Sequence, residues 1–287
     1  MHPLLADIRT RRFWKHFSIK TFAAVGTLST VYKLLVTWQP EWGWLHGGGT
    51  LAVLILVPLA VGIVTSWPRP ISQTYEKPKT KISIIKGDML AGNEHLVIGA
   101  CDTFDTETRY NIIAKESLLG QLIDRFYGGE VADLDAELDK ALINHKPIGA
   151  LPPTKAGKQT AYAIGTVAPV KQAGRFLFFL AYCRMDEQNN ARATVDDVWK
   201  ALLALWVEVS KKANEKSVSI PVIGGGKARI SQILPAQDAI RLTILSFMFA
   251  SRREQVCSQL NILVQSDVYD KLDRLELQAF LSSLKGS

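Results

Sequence analysis

From Thr50 to Trp67 the chain carries no charged residue, and no other property of the sequence limits its fold as severely. A run of that length is close to the roughly 20 residues a helix needs to cross the hydrocarbon core of a bilayer. A second apolar run, Thr21 to Trp38, lies just upstream. Lys and Arg gather before the first run (Arg9, Arg11, Arg12, Lys15, Lys20) and after the second (Arg69, Lys77, Lys79, Lys81). The turn between them, Gln39 to Gly49, has none. That bias predicts a two-span hairpin with both termini cytoplasmic. Trp14, Trp38, Trp42, Trp44 and Trp67 fall at the expected interfaces, where aromatic belts form. Pro58 inside the second run is tolerated in membrane helices. Lys33 falls near the outer end of the first span, where its ammonium either snorkels to the headgroups or faces a pore, the first being the ordinary reading. A cleavable signal peptide is not expected, because a second span follows at once and no small-residue cleavage site stands out.

The remaining composition is that of an ordinary globular chain. Residues 1–80 hold nine Lys/Arg against three Asp/Glu, whereas residues 81–287 hold 25 against 24. The basic balance therefore belongs to the membrane-proximal part. A nucleic-acid footprint over the main domain is disfavoured, since phosphate-backbone binding needs a clustered basic surface. Cys101, Cys183 and Cys257 are far apart in sequence, each in or beside an apolar run, and the five histidines are scattered. Buried reduced thiols fit this better than a metal site or a disulfide framework.

Pro68, Pro70 and Pro78 mark a short extended linker, so the expected divisions are 1–67, 68–80 and 81–287. Beyond the linker, strand-like and helical stretches alternate. Strands are expected at 81–86, 95–101, 161–167, 175–183, 217–223 and 259–264. Helices are expected at 119–126, 131–145, 194–216, 237–253 and 268–284. Thr194 suits an N-cap and Val198, Leu202, Leu205 and Val209 an inward stripe. Alternation of this kind predicts an α/β layered domain with a buried, largely parallel sheet.

The stretch most suggestive of chemistry is SVSIPVIGGGKAR, Ser217 to Arg229. A β-branched run entering three glycines and a lysine, with a helix to follow, is how a backbone offers N–H groups to a phosphate. It lacks the spacing of Gly-x-Gly-x-x-Gly and of the phosphate-binding P-loop, and a plain tight β-to-α turn reads equally well.

Lys86-Gly-Asp88 after the first strand, HLVIGACDTFDT from His95, SLLGQL from Ser117 and PVIGGGKAR from Pro221 together resemble the macro domain, an ADP-ribose-binding α/β fold. With the hairpin in front, the chain resembles the membrane-anchored effectors of type II Thoeris anti-phage systems. The resemblance implies a macro-domain-like three-layer sandwich with a mixed, largely parallel sheet, held at the bacterial inner membrane. It implies that Asp88 reads the adenine amino group and that Asp102, Thr103 and Phe104 line the distal ribose, though Phe104 reads equally well as core. It implies a first phosphate loop at Ser117, Leu118, Leu119, Gly120 and Gln121, and a second at Ile223, Gly224, Gly225, Gly226 and Lys227. The ligand so implied is an ADP-ribose derivative, histidine-ADP-ribose, made by a partner TIR-domain protein, with no cofactor or metal. Binding would drive self-association and clustered hairpins would disrupt the bilayer. Hydrolytic members usually show Asn-Ala-Ala-Asn where this chain has Cys101-Asp-Thr-Phe-Asp105, and their first loop is glycine-rich where this one reads Ser-Leu-Leu-Gly. Binding without catalysis is therefore expected. A tethered hydrolase of ADP-ribose esters and a passive anchor for ADP-ribosylated proteins are the alternatives. Arg109, Tyr110, Tyr162 and Arg184 are candidates for contacting the group beyond the distal ribose, and acids in the 102–107 loop are expected to be solvated or turn-forming.

Overall fold

A computed structural model describes residues 11–39, 41–43, 47–67, 70–110, 112–224 and 232–286. The chain divides into two units, residues 1–70 and 71–287. In the first, α1 (Arg11–Trp38) and α2 (Gly48–Ser66) pack against each other. Both are long and apolar enough to cross a membrane. Most of their large apolar side chains, among them Phe22, Leu34, Leu51, Ile55 and Leu56, are exposed. Where the helices cross, a Cβ on Gly62 would meet the Phe17 ring at 2.9 Å and collide with Thr21 Oγ1. Only glycine permits that approach, as small residues commonly do between helices in lipid. On α1, Thr27 donates to the Ala23 carbonyl (3.0 Å) and Thr30 to that of Gly26 (2.8 Å).

The second unit is built on one mixed sheet. Its strands are β1 (Ile71–Tyr75), β2 (Thr80–Lys86), β3 (His95–Cys101), β6 (Val167–Gln172), β7 (Arg175–Met185), β9 (Val218–Pro221) and β10 (Gln259–Val264). Their order is β1-β2-β10-β9-β3-β7-β6, with the short β8 (Ala191–Arg192) beside β7. The five inner strands from β2 to β7 run parallel, and β1 and β6 close the edges antiparallel. A small separate hairpin pairs β4 (Gly149–Ala150) with β5 (Thr160–Ala161). Helices cover both faces: α3 (Leu118–Tyr127) and α4 (Ala132–Leu142) on one, α5 (Val195–Lys212), α6 (Ala236–Arg253) and α8 (Arg274–Ser283) on the other. A one-turn helix, α7 (Ser266–Tyr269), follows β10.

Alternation along the strands feeds both cores. On β3, Leu96 and Ile98 face the α3/α4 side while Val97 faces α5 and α6. On β7, Leu177, Phe179 and Ala181 take the first side, Phe178 and Leu180 the second. Trp206 is fully buried between α5 and α6. Its indole N–H donates to Ser246 Oγ at 2.9 Å, and Ser246 Oγ donates to the Thr243 carbonyl at 2.9 Å, so the buried polar atoms are matched. Thr194 caps α5 in a reciprocal box with Asp197.

The three-layer α/β sandwich is the one expected, but several boundaries differ. Ile71–Tyr75 lies in the stretch read as linker, yet it pairs with β2, because Ile71 and Tyr75 alternate inward to buried positions. The strand expected at 161–167 lies instead at 167–172. Gly165 at φ 96° turns the chain just before it, and Pro169 is accommodated because β6 is an edge. The closing helix is broken in two, since Asp273 caps a new start by accepting from the Glu276 N–H. α5 stops at Lys212, with Asn214 and Glu215 both at positive φ.

Candidate functional site

Four adjacent parallel strands, β2, β10, β9 and β3, end along one edge of the sheet, and the expected site residues lie on the loops that leave that edge. In open α/β sheets this carboxyl edge is where ligands bind. Asp88 follows β2. Its Oδ1 accepts the Leu90 N–H at 2.9 Å and its Oδ2 pairs with Arg125 at 2.8 Å, with both side chains nearly half exposed. The Leu90 amide first, and then Arg125, hold the Asp88 carboxyl below the usual range, so it presents an anion to solvent. Arg125, in the last turn of α3, is a participant that sequence reading did not single out. Its only signal was its place at the end of a helix next to the expected first phosphate loop.

After β3 the chain enters Asp102–Thr106, and every residue there is buried. This overturns the expectation of solvated acids. Buried polar groups must find partners, and these do. Asp102 N–H donates to the Cys183 carbonyl (2.8 Å), while Asp102 Oδ1 accepts the Met185 N–H (2.9 Å), pinning the loop to the end of β7. Burial pushes the Asp102 carboxyl up, against the pull of that N–H and of Arg184. Asp105 meets Lys155 at 3.0 Å, both side chains being essentially inaccessible. The three protons of the Lys155 ammonium find Asp105 Oδ2, the Ala156 carbonyl (2.9 Å) and the Lys158 carbonyl (2.8 Å). Asp105 also accepts from Thr103 Oγ1 (2.5 Å) and from the Lys158 N–H (2.7 Å). Outside this, Thr106 Oγ1 and Lys158 both reach Asp135 at 2.7 Å. The loop is thereby locked to the 155–158 turn and to α4.

Phe104 sits inside this locked loop at φ 49°, a conformation that bulky residues rarely adopt. Holding it costs on the order of 1–3 kcal/mol, and the surrounding contacts sustain it. Its ring is buried in the α3/α4 core, edge-on to Tyr162 with centroids 5.7 Å apart. The side chain is thus core, and what the loop offers the carboxyl edge is backbone.

Ser117 caps α3. Its Oγ accepts the Gly120 N–H (3.1 Å) and donates to the Ala114 carbonyl (2.6 Å). Leu119 and Gly120 are buried and Leu118 half-buried, while Gln121 is exposed and bonds back to the Glu116 carbonyl at 2.8 Å. A Cβ on Gly120 would stand 2.7 Å from Lys115 Cα, so glycine is required for the loop to lie on the helix. Past β9, Ile223 and Gly224 are buried, Gly224 at φ 92°. Gly225, Gly226 and Lys227 lie outside the described residues.

Of the other candidates, Tyr110 and Arg109 are exposed, Arg109 standing 4.0 Å from Glu130. Arg184 is held by Asp197 at 2.6 Å. Cys101 and Cys183, far apart in sequence, are register partners on β3 and β7, and their sulfurs lie 3.0 Å apart. Two clefts lie elsewhere: one of about 580 Å³ at the opposite edge, near Tyr75, Lys79 and Gln255, and one of about 400 Å³ between α5 and α6. The first lies where the β1–β2 turn meets the segments that enter β9 and β10, away from the expected site residues, and the second is formed by two helices.

A mixed sheet with parallel centre and antiparallel edges, sandwiched by helices, with strand-end loops carrying an acid, a capped helix start and a glycine turn, defines a macro domain. Residues 82–265 match the family model described as Thoeris protein ThsA, Macro domain, and the chain belongs to that family. A curated relative, the Thoeris protein ThsA of Bacillus amyloliquefaciens (strain Y2), is 26% identical over 212 residues, covering 70% of this chain and 68% of that protein. Among solved structures, the Oceanobacillus iheyensis macrodomain is similar. A glycine-to-valine mutant of it, with ADPR, is 14% identical, covers 75% of this chain and 100% of that one, and gives a TM-score of 0.49. An aspartate-to-alanine mutant is 14% identical, covers 74% and 95%, and gives 0.46.

Proposed function

We propose that this chain is a ligand-gated membrane effector of anti-phage defence. Its macro domain binds an ADP-ribose-derived signal, histidine-ADP-ribose, made by a partner TIR-domain protein. It needs no cofactor and catalyses no reaction. The observation that carries this reading is the convergence at one sheet edge of an ionised acid, a locked backbone loop, a capped helix start and a glycine turn, in a chain of the ThsA family.

In this reading Asp88 accepts from the adenine amino group. The first-turn amides of α3 at Leu118 and Leu119 lack helical acceptors and turn to the diphosphate, that of Gly120 being held by the Ser117 cap. The turn from Ile223 through Gly224, Gly225 and Gly226 to Lys227 closes on the same diphosphate, and backbone groups of the 102–104 loop face the distal ribose. Catalysis is not part of the reading because the stretch from Cys101 to Asp105 lacks the asparagines that the hydrolytic pattern implies, and Asp102 and Asp105 bond to Met185 and Lys155.

Occupancy then drives self-association. A ligand shifts a two-state balance only by its differential affinity, and moving it from 1:99 to 99:1 takes roughly 5.5 kcal/mol. Helices in lipid have no hydrophobic drive to associate, so a lone hairpin stays inert until the domains concentrate many. Calorimetry of the full chain in detergent tests the binding step, with histidine-ADP-ribose and ADP-ribose as titrants. Binding that is lost in Asp88→Ala, together with ligand-dependent dye release from vesicles, supports the reading. Turnover of the titrant points to the tethered hydrolase, and binding without release to a passive anchor. Absence of binding to either compound refutes it.

A further inference from the structure

The hairpin carries a feature that the signal-binding reading does not use, and the inference rests on reading α1 and α2 as membrane-spanning. At their crossing Gly62 is level with Phe17 and Thr21. The helices are joined by a short connection and so run antiparallel. At about 1.5 Å per residue, Ser66 then stands level with about Lys15, and Gly48 with about Lys33. α2 has 19 residues and no charge, and its length of about 28 Å matches the roughly 30 Å hydrocarbon core. Lys15 and Lys33 therefore bracket the uncharged slab at its two surfaces.

α1 has 28 residues and is about 42 Å long, so it overshoots that slab. Its first turn rises past Lys15, placing Arg11 about 6 Å further out, in the headgroup layer. Lys20 lies about 7 Å below the surface, within reach of a snorkelling stem. Phe13, Trp14 and Phe17 cluster with ring centroids 5.5–6.2 Å apart, and Phe17 is turned toward α2. At about 100° per residue, Arg11 and Lys15 face about 120–160° away from Phe17, toward lipid, whereas Lys20 stands only about 60° from Phe17 and is not part of that face. Arg11, Lys15 and Lys20 are exposed, and α1 contains no Asp or Glu to neutralise them.

We propose that Arg11 and Lys15, one turn apart on the same face, form a binding site for the phosphodiester headgroups of anionic phospholipids, on the leaflet where α1 begins and α2 ends. The aromatic face packs the hairpin while the cationic face collects acidic lipid around it.

The full chain is reconstituted in vesicles of phosphatidylcholine alone and of equimolar phosphatidylcholine and phosphatidylglycerol. Flotation is scored, and the lipid retained around the protein after polymer extraction is quantified by mass spectrometry. Phosphatidylglycerol is expected to be enriched over bulk, by up to roughly fivefold per engaged cation. The enrichment should fall as salt rises and vanish in the Arg11→Gln/Lys15→Gln variant. Protein that floats with both vesicles while retaining lipid at the bulk ratio overturns the headgroup site and leaves the hairpin reading intact. So does enrichment that survives in the double variant, or that inorganic phosphate abolishes at matched ionic strength. Protein that floats with neither vesicle overturns the hairpin reading and this site with it.

Discussion

Lys155→Met is the perturbation that best tests how the 102–106 loop is held. The Lys155 ammonium is inaccessible and donates to Asp105, Ala156 and Lys158, with no donor left over. Methionine fills a similar volume but leaves the Asp105 carboxylate facing only Thr103 Oγ1 and the Lys158 amide. Removing one partner of a buried ion pair costs about 3–5 kcal/mol, because the other charge is left without compensation. For a domain of this size that lowers the midpoint of thermal unfolding by about 6–20 °C. The loss should be local in origin, so amides from Cys101 to Thr106 should exchange faster than those of β7 and β10, whose packing is untouched. A double variant, Lys155→Met/Asp105→Leu, should regain much of the loss, since an apolar pair often replaces a buried ion pair without penalty. Near-ultraviolet circular dichroism melting of the full chain gives the first number, and hydrogen exchange by mass spectrometry the second. A midpoint shift smaller than about 2 °C, or unchanged exchange in the loop, would refute the claim that this pair fixes the loop.

Three further outcomes follow from the same geometry. Burial raises the Asp102 carboxyl, so the native state keeps a proton that the unfolded chain releases near pH 4. Stability should therefore fall as pH rises from about 4 through the raised native value, and Asp102→Asn, still able to accept from Met185, should flatten that slope in melts across pH. Gly157 sits at φ 84°, where an added Cβ would approach Ile112 Cδ1 to 3.0 Å and collide with Asp105, so Gly157→Ala should cost at least about 1–2 kcal/mol in denaturant melts. In the hairpin, Gly62→Leu should force α1 and α2 apart, read as a lengthened distance between spin labels at Ser18 and Thr65 in nanodiscs, and an unchanged distance would show that the crossing lies elsewhere.

The hairpin was legible because its signals are local: length, lack of charge and flanking cations all sit within one stretch of chain. The inner strands were legible for the same reason, since burial on both faces writes a continuous apolar run, as in FLFFLA of β7. The edge strands were not. β1 reads as a proline-flanked linker and β6 carries Pro169 and Lys171, because an edge leaves one side of the ladder unpaired and relaxes the sequence requirement.

The site was legible only where a backbone conformation demands a residue type. Gly224 at positive φ, Gly120 packed on Lys115 and Ser117 as a cap each leave a one-residue signature. The side chains that hold those loops leave none. Asp105 and Lys155 are 50 positions apart, Asp88 and Arg125 37, Cys101 and Cys183 82, and nothing in the intervening chain announces that they meet. Lys155 in particular stands in PPTKAGK, a stretch whose glycine and prolines read as an exposed turn, and turns of that composition usually project their lysines into water. Its burial follows from the sheet order. β3 and β7 are neighbours, so the chain between them must return over the end of β3, and the acid buried there is left uncompensated unless a cation follows the chain down. The Asp-Thr-Phe-Asp stretch after β3 thus needs a lysine from the returning segment, and Asp105 and Lys155 are one structural solution.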